Sequence, residues 1–290
     1  MFTGKHAESQ SSWTAFGTKE SESALRSKAQ KNGNPLEAFK ALFQNDQLLW
    51  VALSYLLYAI ANVATTGVLI FPFKFVLDNQ AAYSATGVIA LVAGLIMAPL
   101  YPILNKRIPR RYLYIGGMIS MIAGYILLGI FANNMIMVFV ALILFYVPGT
   151  LIQMTAILSL TDSIEYGQLK NGKRNEAVTL SVRPMLDKIG GAMSNGIVGF
   201  IAIAAGMTGD ATVADMTAAN IHTFEVCAFY VPLDLIVLSL LVFMFKVKIN
   251  EKIHAEIVEQ LEAKLAAGEI PDEEVKTVET VEASTRRPRF

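Results

Sequence analysis

The sequence predicts an all-α integral membrane protein with six transmembrane helices. Hydrophobic residues make up 54% of the 290 residues and charged residues only 17%, and the mean hydropathy is +0.47. A soluble domain of this length needs more charge to cover its surface. The apolar residues are gathered in long runs that lack the alternation of barrel strands. Because backbone groups in lipid must be hydrogen-bonded within their own segment, each run is predicted to be a helix.

The first span is predicted at residues 47–71, an uncharged run long enough to cross a hydrocarbon core of ~30 Å at ~1.5 Å per residue. Five more apolar runs follow it. The chain then divides into a tail with an amphipathic segment at 1–46, a transmembrane domain at 47–247, and a second tail at 248–290 that begins as an amphipathic helix. The five further spans are predicted at 85–105, 113–131, 135–160, 177–206 and 222–247.

The distribution of lysine and arginine predicts the orientation in the membrane. Every Lys and Arg lies in the two tails, in the second and fourth loops or, for Lys246, at the C-terminal edge of the last span, apart from Lys74 in an opposite loop and Arg183 and Lys188 inside the fifth span. Basic loops stay on the cytoplasmic side, so both termini are predicted to be cytoplasmic. The formal net charge is zero, so no overall field attracts nucleic acid.

The sequence offers little support for catalysis. It has no glycine-rich phosphate loop, no H-E-x-x-H motif and no nucleophile elbow. His6, His222 and His254 are far apart in the sequence, and Cys227 lies alone in an apolar stretch. We therefore expect neither an enzyme nor a metal or cofactor site.

Three charges stand inside the fifth predicted span. Lys188 lies about 17 Å into it, close to the bilayer midplane at ~1.5 Å per residue. A charge there costs roughly 2.5–3.5 kcal/mol on insertion scales, so these side chains should be paired or should line a polar cavity. Arg183 and Asp187 can pair at i, i+4 spacing, and Asp234 in the last span is a candidate partner for Lys188. Intramembrane charges mark functional sites, although structural pairing between helices is the alternative.

The rest of this helix favours a polar pathway. Asn195 follows Lys188 by two turns and shares its stripe, while Pro184 should bend the helix. The small pairs Gly190 with Ser194 and Ala192 with Gly196 permit close helix packing. We expect the pathway to be lined by Lys188 and Asn195, with Asp187 and Arg183.

Two other polar features each allow two interpretations. The first span has a polar edge that favours helix packing over contact with a hydroxyl-rich ligand. The basic loop "NKRIPRRY", 105–112, fits either anchoring to anionic headgroups or a gating role. The polar edge comprises Tyr55, Tyr58, Asn62 and Thr65.

The stretch "TDSIEYGQLKNGKRNEAVTLSVRPMLDKIGGAMSN", 161–195, resembles the segment that joins helices ten and eleven in the glycoside/pentoside/hexuronide:cation symporters, especially the lactose and galactoside carriers. The similarity extends more loosely from "FQNDQLLWVALSYLLYA" to "HAEIVEQLEAKL". It implies the second half of a twelve-helix major-facilitator-type transporter, with helices seven to twelve present. The family's acidic cation-binding residues belong mostly to the first half.

The resemblance also implies roles for individual residues. Lys188 falls on the helix-eleven lysine that is implicated in sugar and cation coupling. Related galactoside carriers have histidine at the position of Lys173, and an exposed lysine does not titrate near neutral pH, which argues against a proton-linked role there. The predicted cytoplasmic gate loop contains Asp162, Glu165, Tyr166, Lys170, Lys173, Arg174 and Glu176.

The predicted function is therefore cation-coupled symport of a galactoside such as lactose across the cell membrane, with H+ or Na+ as the coupling ion. The chain would act as the second half of a split or truncated carrier, paired with a separate first half or with itself. The alternatives are a non-transporting membrane subunit or sugar sensor, and an oligomeric six-helix facilitator.

Overall fold

The computed structural model describes residues 40, 43–172, 176–209 and 211–268, and these residues contain helices and turns but no strand. Short π-helical segments, which are wider than an α-helix, continue the first span at Pro72–Val76 and lie within the last span at Val226–Tyr230. The helices are α1 (Asp46–Val68), α2 (Ser84–Asn105), α3 (Arg110–Phe131), α4 (Met135–Asn171), α5 (Glu176–Ala204), α6 (Ala218–Glu225), α7 (Val231–Lys246) and α8 (Glu251–Ala266).

The described part of the chain contains five helical segments that are long and apolar enough to cross a membrane. They correspond to five of the six predicted spans. The sixth, α5, is a continuous helix of 29 residues that passes through Pro184. Its charges set it apart from the other five, so its crossing of the membrane stays a prediction. The five segments are Asp46–Val76, Gln80–Asn105, Arg110–Phe131, Met135–Asn171 and Ala218–Lys246.

Helix α4 is longer than predicted. The sequence predicts a span that ends at residue 160 and a loop at 161–176, whereas α4 continues to Asn171. Hydropathy marks where side chains become polar, but a helix ends only where its backbone is interrupted. Gly172 provides that interruption, because it adopts φ +70° and its amide donates to the carbonyl of Gln168.

Helix α1 lies at the centre of the packing, in contact with α4, α5 and α7. Two of its hydroxyl residues, Ser54 and Thr65, are buried and hydrogen-bonded to neighbouring helices. The Ser54 hydroxyl lies 2.9 Å from the Tyr114 hydroxyl of α3 and donates to the Ser239 carbonyl of α7 at 3.0 Å. Thr65 Oγ1 lies 2.8 Å from the Tyr125 hydroxyl of α3. These contacts satisfy hydroxyl groups that would otherwise be costly in an apolar interior.

The α1–α5 contact is close because glycines face it. A Cβ added at Gly67 would lie 2.7 Å from Val198 Cγ2, and one at Gly190 would lie 3.3 Å from Ala59 Cβ. Small residues permit this close approach of helix backbones within membranes.

Both ends of the described chain meet at one end of the bundle, which we call the tail end. Asn45 caps α1 and donates from Nδ2 to the Ser163 carbonyl of α4 at 2.6 Å. The Lys248 amide, just before α8, donates to Gln47 Oε1 at 2.8 Å. Most of the amphipathic segment predicted before residue 46, and residues 269–290 of the second tail, lie outside the described residues.

Candidate functional site

Helix α5 has one buried face and one open face. Val182, Leu186 and Ser194 are buried on the side that packs against the bundle. Asp187, Lys188 and Asn195 are exposed, and Arg183 is half-buried beside them. The four residues predicted to line a pathway therefore lie at the surface of these six spans, where a ligand or another helical unit could contact them.

Tyr55 connects α1 to this open face. The Tyr55 hydroxyl donates to Asp187 Oδ1 at 2.7 Å, and Arg183 Nε lies 4.0 Å from Asp187 Oδ2. The i, i+4 pairing of Arg183 with Asp187 is therefore observed, at the edge of ion-pair distance. Arg183 Nε is itself buried and has no hydrogen-bond partner among the described residues. The carboxylate is held by a hydroxyl from a neighbouring helix as well as by charge.

The pairing of Lys188 with Asp234 is not observed. Among the described residues, no ion pair within 4.0 Å joins these two side chains, and both are exposed. Helix α1 packs against both α5 and α7 and lies between them, which keeps the two charges apart. Lys188 instead extends from the open face of α5 together with Asn195.

The two small-residue pairs on α5 differ. Gly190 and Ser194 are buried, and Gly190 makes the close approach to Ala59 described above. Ala192 and Gly196 are exposed, and a Cβ at Gly196 would meet nothing within 4 Å. Helix packing therefore explains Gly190 and Ser194. Ala192 and Gly196 instead place small side chains on the open face beside Lys188.

The polar edge of the first span is mostly used in packing, as predicted. Tyr58 is buried and its hydroxyl donates to the Gly149 carbonyl at 3.4 Å, while Thr65 contacts Tyr125. Tyr55 is the exception, because its hydroxyl reaches the Asp187 carboxylate on the open face.

A second charged site lies at the tail end, where α3, α4 and α8 meet. Arg110 Nη2 of α3 lies 2.7 Å from Asp162 Oδ2 of α4. The Arg110 amide and Nε donate to Glu251 Oε1 of α8 at 2.6 and 3.3 Å. Burial opposes ionisation of Glu251, but the hydrogen bonds from Arg110 outweigh it and lower its pKa below the ordinary glutamate value. Arg110 thus joins three helices.

His254 of α8 lies in the same cluster. Its Nε2 is 3.7 Å from Asp162 Oδ1 and 3.7 Å from Glu165 Oε2. A neighbouring cluster links α1 to the end of α4, since Asp46 Oδ1 accepts from the Tyr166 hydroxyl at 2.9 Å and from Lys170 Nζ at 2.5 Å. The end of α4 is therefore clamped on both sides.

The predicted gate residues fall in three places. Asp162, Glu165, Tyr166 and Lys170 lie on the last turns of α4, not in a loop, because the helix continues beyond the apolar run. Glu176 is the first residue of α5. Lys173 and Arg174 lie outside the described residues.

The four basic residues between α2 and α3 fall into two groups, one in contact with other helices and one exposed. Arg111 donates from Nη2 to the Met244 carbonyl at 2.6 Å and from Nη1 to the Val247 carbonyl at 3.2 Å, and Arg110 makes the ion pairs above. Lys106 and Arg107 are exposed. Two of the four charges hold helices together and two remain available to headgroups.

Sequence reasoning missed Arg110, Glu251 and His254 as members of a shared site. They come from elements far apart in the chain, and spacing along one helix cannot show such a contact. The mixed charge of the "NEKIHAE" stretch, 250–256, next to the basic loop was the available signal.

No group of three or more His, Cys, Asp or Glu residues in the described part of the chain has the geometry of a metal site.

The fold and the two charged sites define a multi-pass helical membrane protein with the architecture of half of a major facilitator transporter. The chain belongs to the family described as MFS/sugar transport protein, whose model matches residues 12–251.

Individual relatives are similar over nearly the whole chain. It is 50% identical over 283 residues to a lactose permease of Leuconostoc lactis, and 46% identical over 285 residues to a lactose permease of Lactobacillus helveticus. Each match covers 92% of this chain and 44% of the relative. A raffinose carrier protein of Pediococcus pentosaceus is 37% identical over 253 residues, which cover 87% of this chain and 40% of the carrier. The chain thus spans less than half the length of these relatives.

Proposed function

We propose that this chain forms one wall of a cation-coupled sugar symporter for a galactoside such as lactose. The supporting observation is the open polar face of α5 in a chain that is 50% identical to a lactose permease. The chain works in the cell membrane together with a second six-helix unit, either a separate first half or a second copy. It is not an enzyme and needs no cofactor or nucleic acid.

The open face has the chemistry that a sugar site requires. The Lys188 ammonium provides three hydrogen-bond donors, and the Asn195 amide both donates and accepts, so together they match the hydroxyl groups of a sugar. Asp187 is oriented by the Tyr55 hydroxyl at 2.7 Å and adds an acceptor beside them. Substrate sites in such transporters lie near the midplane between two repeats, which is the depth predicted for Lys188.

The tail end acts as the cytoplasmic gate in this proposal. Both ends of the described chain lie at that end, and the positive-inside rule assigns it to the cytoplasm. The carboxylates and cations on the last turns of α4 are held by α1, α3 and α8. Their rearrangement accompanies alternating access to the sugar site.

Uptake of radiolabelled lactose tests the proposal in cells that make this chain alone, with a matching first half, or with neither. We expect uptake with the first half. K188L in that pairing should abolish cation-coupled accumulation, because the ammonium is lost from the open face. K252L, which removes an exposed lysine of α8, should leave accumulation unchanged. Absence of uptake in every combination would reject transport and favour a non-transporting subunit or sensor, and uptake unaffected by K188L would remove Lys188 from the pathway.

A further inference from the structure

The end of α7 and the first turn of α1 place a lysine and a tryptophan at the same edge of the bundle. Lys246 is the last residue of the last apolar segment, and Trp50 lies one turn inside the first. Lys246 Nζ is 5.2 Å from the centroid of the Trp50 ring. Tryptophan and lysine are typical of the boundary between hydrocarbon and headgroups, so this cation–π pair marks that boundary at the tail end.

Lys248 lies on the same surface. Val247 is extended and buried, whereas the lysines on either side of it are exposed. Side chains alternate along an extended segment, so both lysines point away from the buried side of the chain. The Lys248 amide donates to Gln47 Oε1 at 2.8 Å, which holds this segment against α1. We call Trp50, Lys246 and Lys248 the lysine–tryptophan patch.

The ammonium of Lys246 is not needed to cap its own helix. The last carbonyls of a helix are often satisfied by a lysine or arginine nearby. At the end of α7 this is done by Arg111, which donates to the Met244 and Val247 carbonyls at 2.6 and 3.2 Å. The Lys246 side chain is therefore available to another group.

The nearest carboxylates in sequence are occupied by other cations. Asp46 accepts from Lys170 Nζ at 2.5 Å, and Glu251 accepts from Arg110 Nε at 3.3 Å. In the described ranges, no carboxylate lies within 4.0 Å of either ammonium of the patch. Two cations at the membrane boundary thus lack an anionic partner within this part of the protein.

The exposed face of α7 next to the patch is apolar. Leu238, Leu241 and Phe245 are 47%, 42% and 70% exposed, and their spacings of three and four place them on one stripe that leads to Lys246. Asp234 follows on this stripe, about 18 Å from Lys246 at ~1.5 Å per residue, which is beyond half of a ~30 Å core. One acyl chain of the tail-side leaflet can therefore lie along the apolar stripe.

We propose that the lysine–tryptophan patch binds the headgroup of an anionic phospholipid, whose acyl chain lies along this stripe of α7. The two ammonium groups donate to the phosphate oxygens, which are strong acceptors. The Trp50 ring lies at the level of the glycerol, beside Lys246. A zwitterionic headgroup carries its own cation and offers less net charge to the lysines. This site goes beyond the proposed function and does not depend on it.

Trp50 itself is the probe for this site. The chain contains two tryptophans, Trp13 and Trp50, so W13F leaves Trp50 as the only one. The W13F protein is reconstituted into vesicles of equal parts phosphatidylcholine and phosphatidylglycerol, and one lipid or the other carries bromine atoms, which quench fluorescence, on its acyl chains. We expect brominated phosphatidylglycerol to quench Trp50 more strongly, with a relative binding constant about two- to tenfold higher than that of phosphatidylcholine.

Substitution of the two lysines tests their role. K246Q/K248Q in the W13F background should quench equally with either brominated lipid. Both side chains are exposed and the Lys248 hydrogen bond is made by its backbone, so the bundle should remain intact. K264Q removes an exposed lysine near the end of α8 and should retain the preference.

Equal quenching by the two lipids in the W13F protein would overturn the proposal, and so would a preference that survives in K246Q/K248Q. Excess inorganic phosphate should reduce the preference no more than sodium chloride at the same ionic strength, which screens any exposed charge. A larger reduction by phosphate would assign the patch to a free anion instead of a lipid and would also overturn the proposal.

Discussion

Arg110 connects three helices at the tail end. Its guanidinium and the carboxylate of Asp162 are both largely buried, with side chains 13% and 10% exposed. It also donates to Glu251 from its backbone and side chain. A single side chain therefore neutralises a buried carboxylate and anchors another helix.

Replacement of Arg110 should destabilise the protein strongly. R110Q leaves Asp162 buried beside a neutral amide, and breaking a buried ion pair by removing one partner costs about 3 kcal/mol or more. Unfolding in detergent should therefore occur at a clearly lower temperature. R107Q is the matched control, since Arg107 is exposed in the same loop.

The double variant R110Q/D162N separates the ion pair from other effects. It removes the uncompensated charge together with its partner, so it should be more stable than R110Q alone. Equal melting temperatures for R110Q and R107Q would show that the ion pair does not hold this end of the bundle together.

The sequence predicts single residues best where their partner lies on the same helix. Arg183 and Asp187 are four residues apart, and their pairing follows from that spacing. The Tyr55–Asp187 hydrogen bond joins residues on different helices, and the incorrect pairing of Lys188 with Asp234 has the same origin. Which helices are neighbours depends on packing, and an apolar run contains little information about it.

At the scale of the helix, α8 is docked by an acidic residue whose protonation weakens the contact. The pKa of Glu251 is lowered in the folded protein, so its ionisation stabilises docking above the ordinary glutamate pKa. That stabilisation is lost as pH falls through the lowered value. Docking should therefore weaken in acid.

E251Q tests this acid limit. Its amide cannot ionise, so the loss of docking below about pH 4, where glutamate ordinarily titrates, should be reduced compared with the parent. The distance between spin labels at E262C on α8 and K106C in the α2–α3 loop, both exposed sites, measures the docking in a C227S background. E259Q removes an exposed carboxylate of the same helix and should retain the parent profile. If docking of α8 in E251Q depended on pH as it does in the parent, the Glu251 carboxylate would not be the group that sets the acid limit.

The α1–α5 contact makes a second prediction at this scale. G67A places a methyl group 2.7 Å from Val198 Cγ2, and valine has little rotamer freedom in a helix with which to move away. Overpacking of this kind costs about 1–3 kcal/mol, so the melting temperature in detergent should fall.

G94A is the matched control, because a Cβ there meets nothing within 4 Å and alanine favours the helix. It should melt at or above the parent temperature. If both variants melt alike, the helices are not in close contact at Gly67.

The elements themselves were largely predictable from hydropathy, while their ends were not. The end of α4 is eleven residues beyond the predicted span, at Asn171 rather than residue 160. Polar side chains such as those of Asp162 and Glu165 do not interrupt a helix. Asp162 pairs with Arg110 of α3, and both residues lie 3.7 Å from His254 of α8. The sequence does not reveal these contacts.

At the scale of the whole molecule, the protein is a helical bundle that has polar and charged side chains on one of its outer helix faces. Four charged or amide side chains lie on the open face of one helix of a membrane protein, and the chain covers 44% of two lactose permeases. In the proposed function this face meets a second six-helix unit and sugar passes between them.

Cysteine accessibility at Ala192 tests the central claim most directly. Ala192 is exposed one turn beyond Lys188 on the open face, and Ala123 is an equally small exposed residue on α3. In a C227S background paired with a matching first half, we predict that a membrane-impermeant thiol reagent labels A192C and that lactose slows this labelling, whereas A123C gives no lactose-dependent change. An A192C that is inert to the reagent, or labelled at the same rate with and without lactose, would contradict the assignment of this face to the sugar pathway.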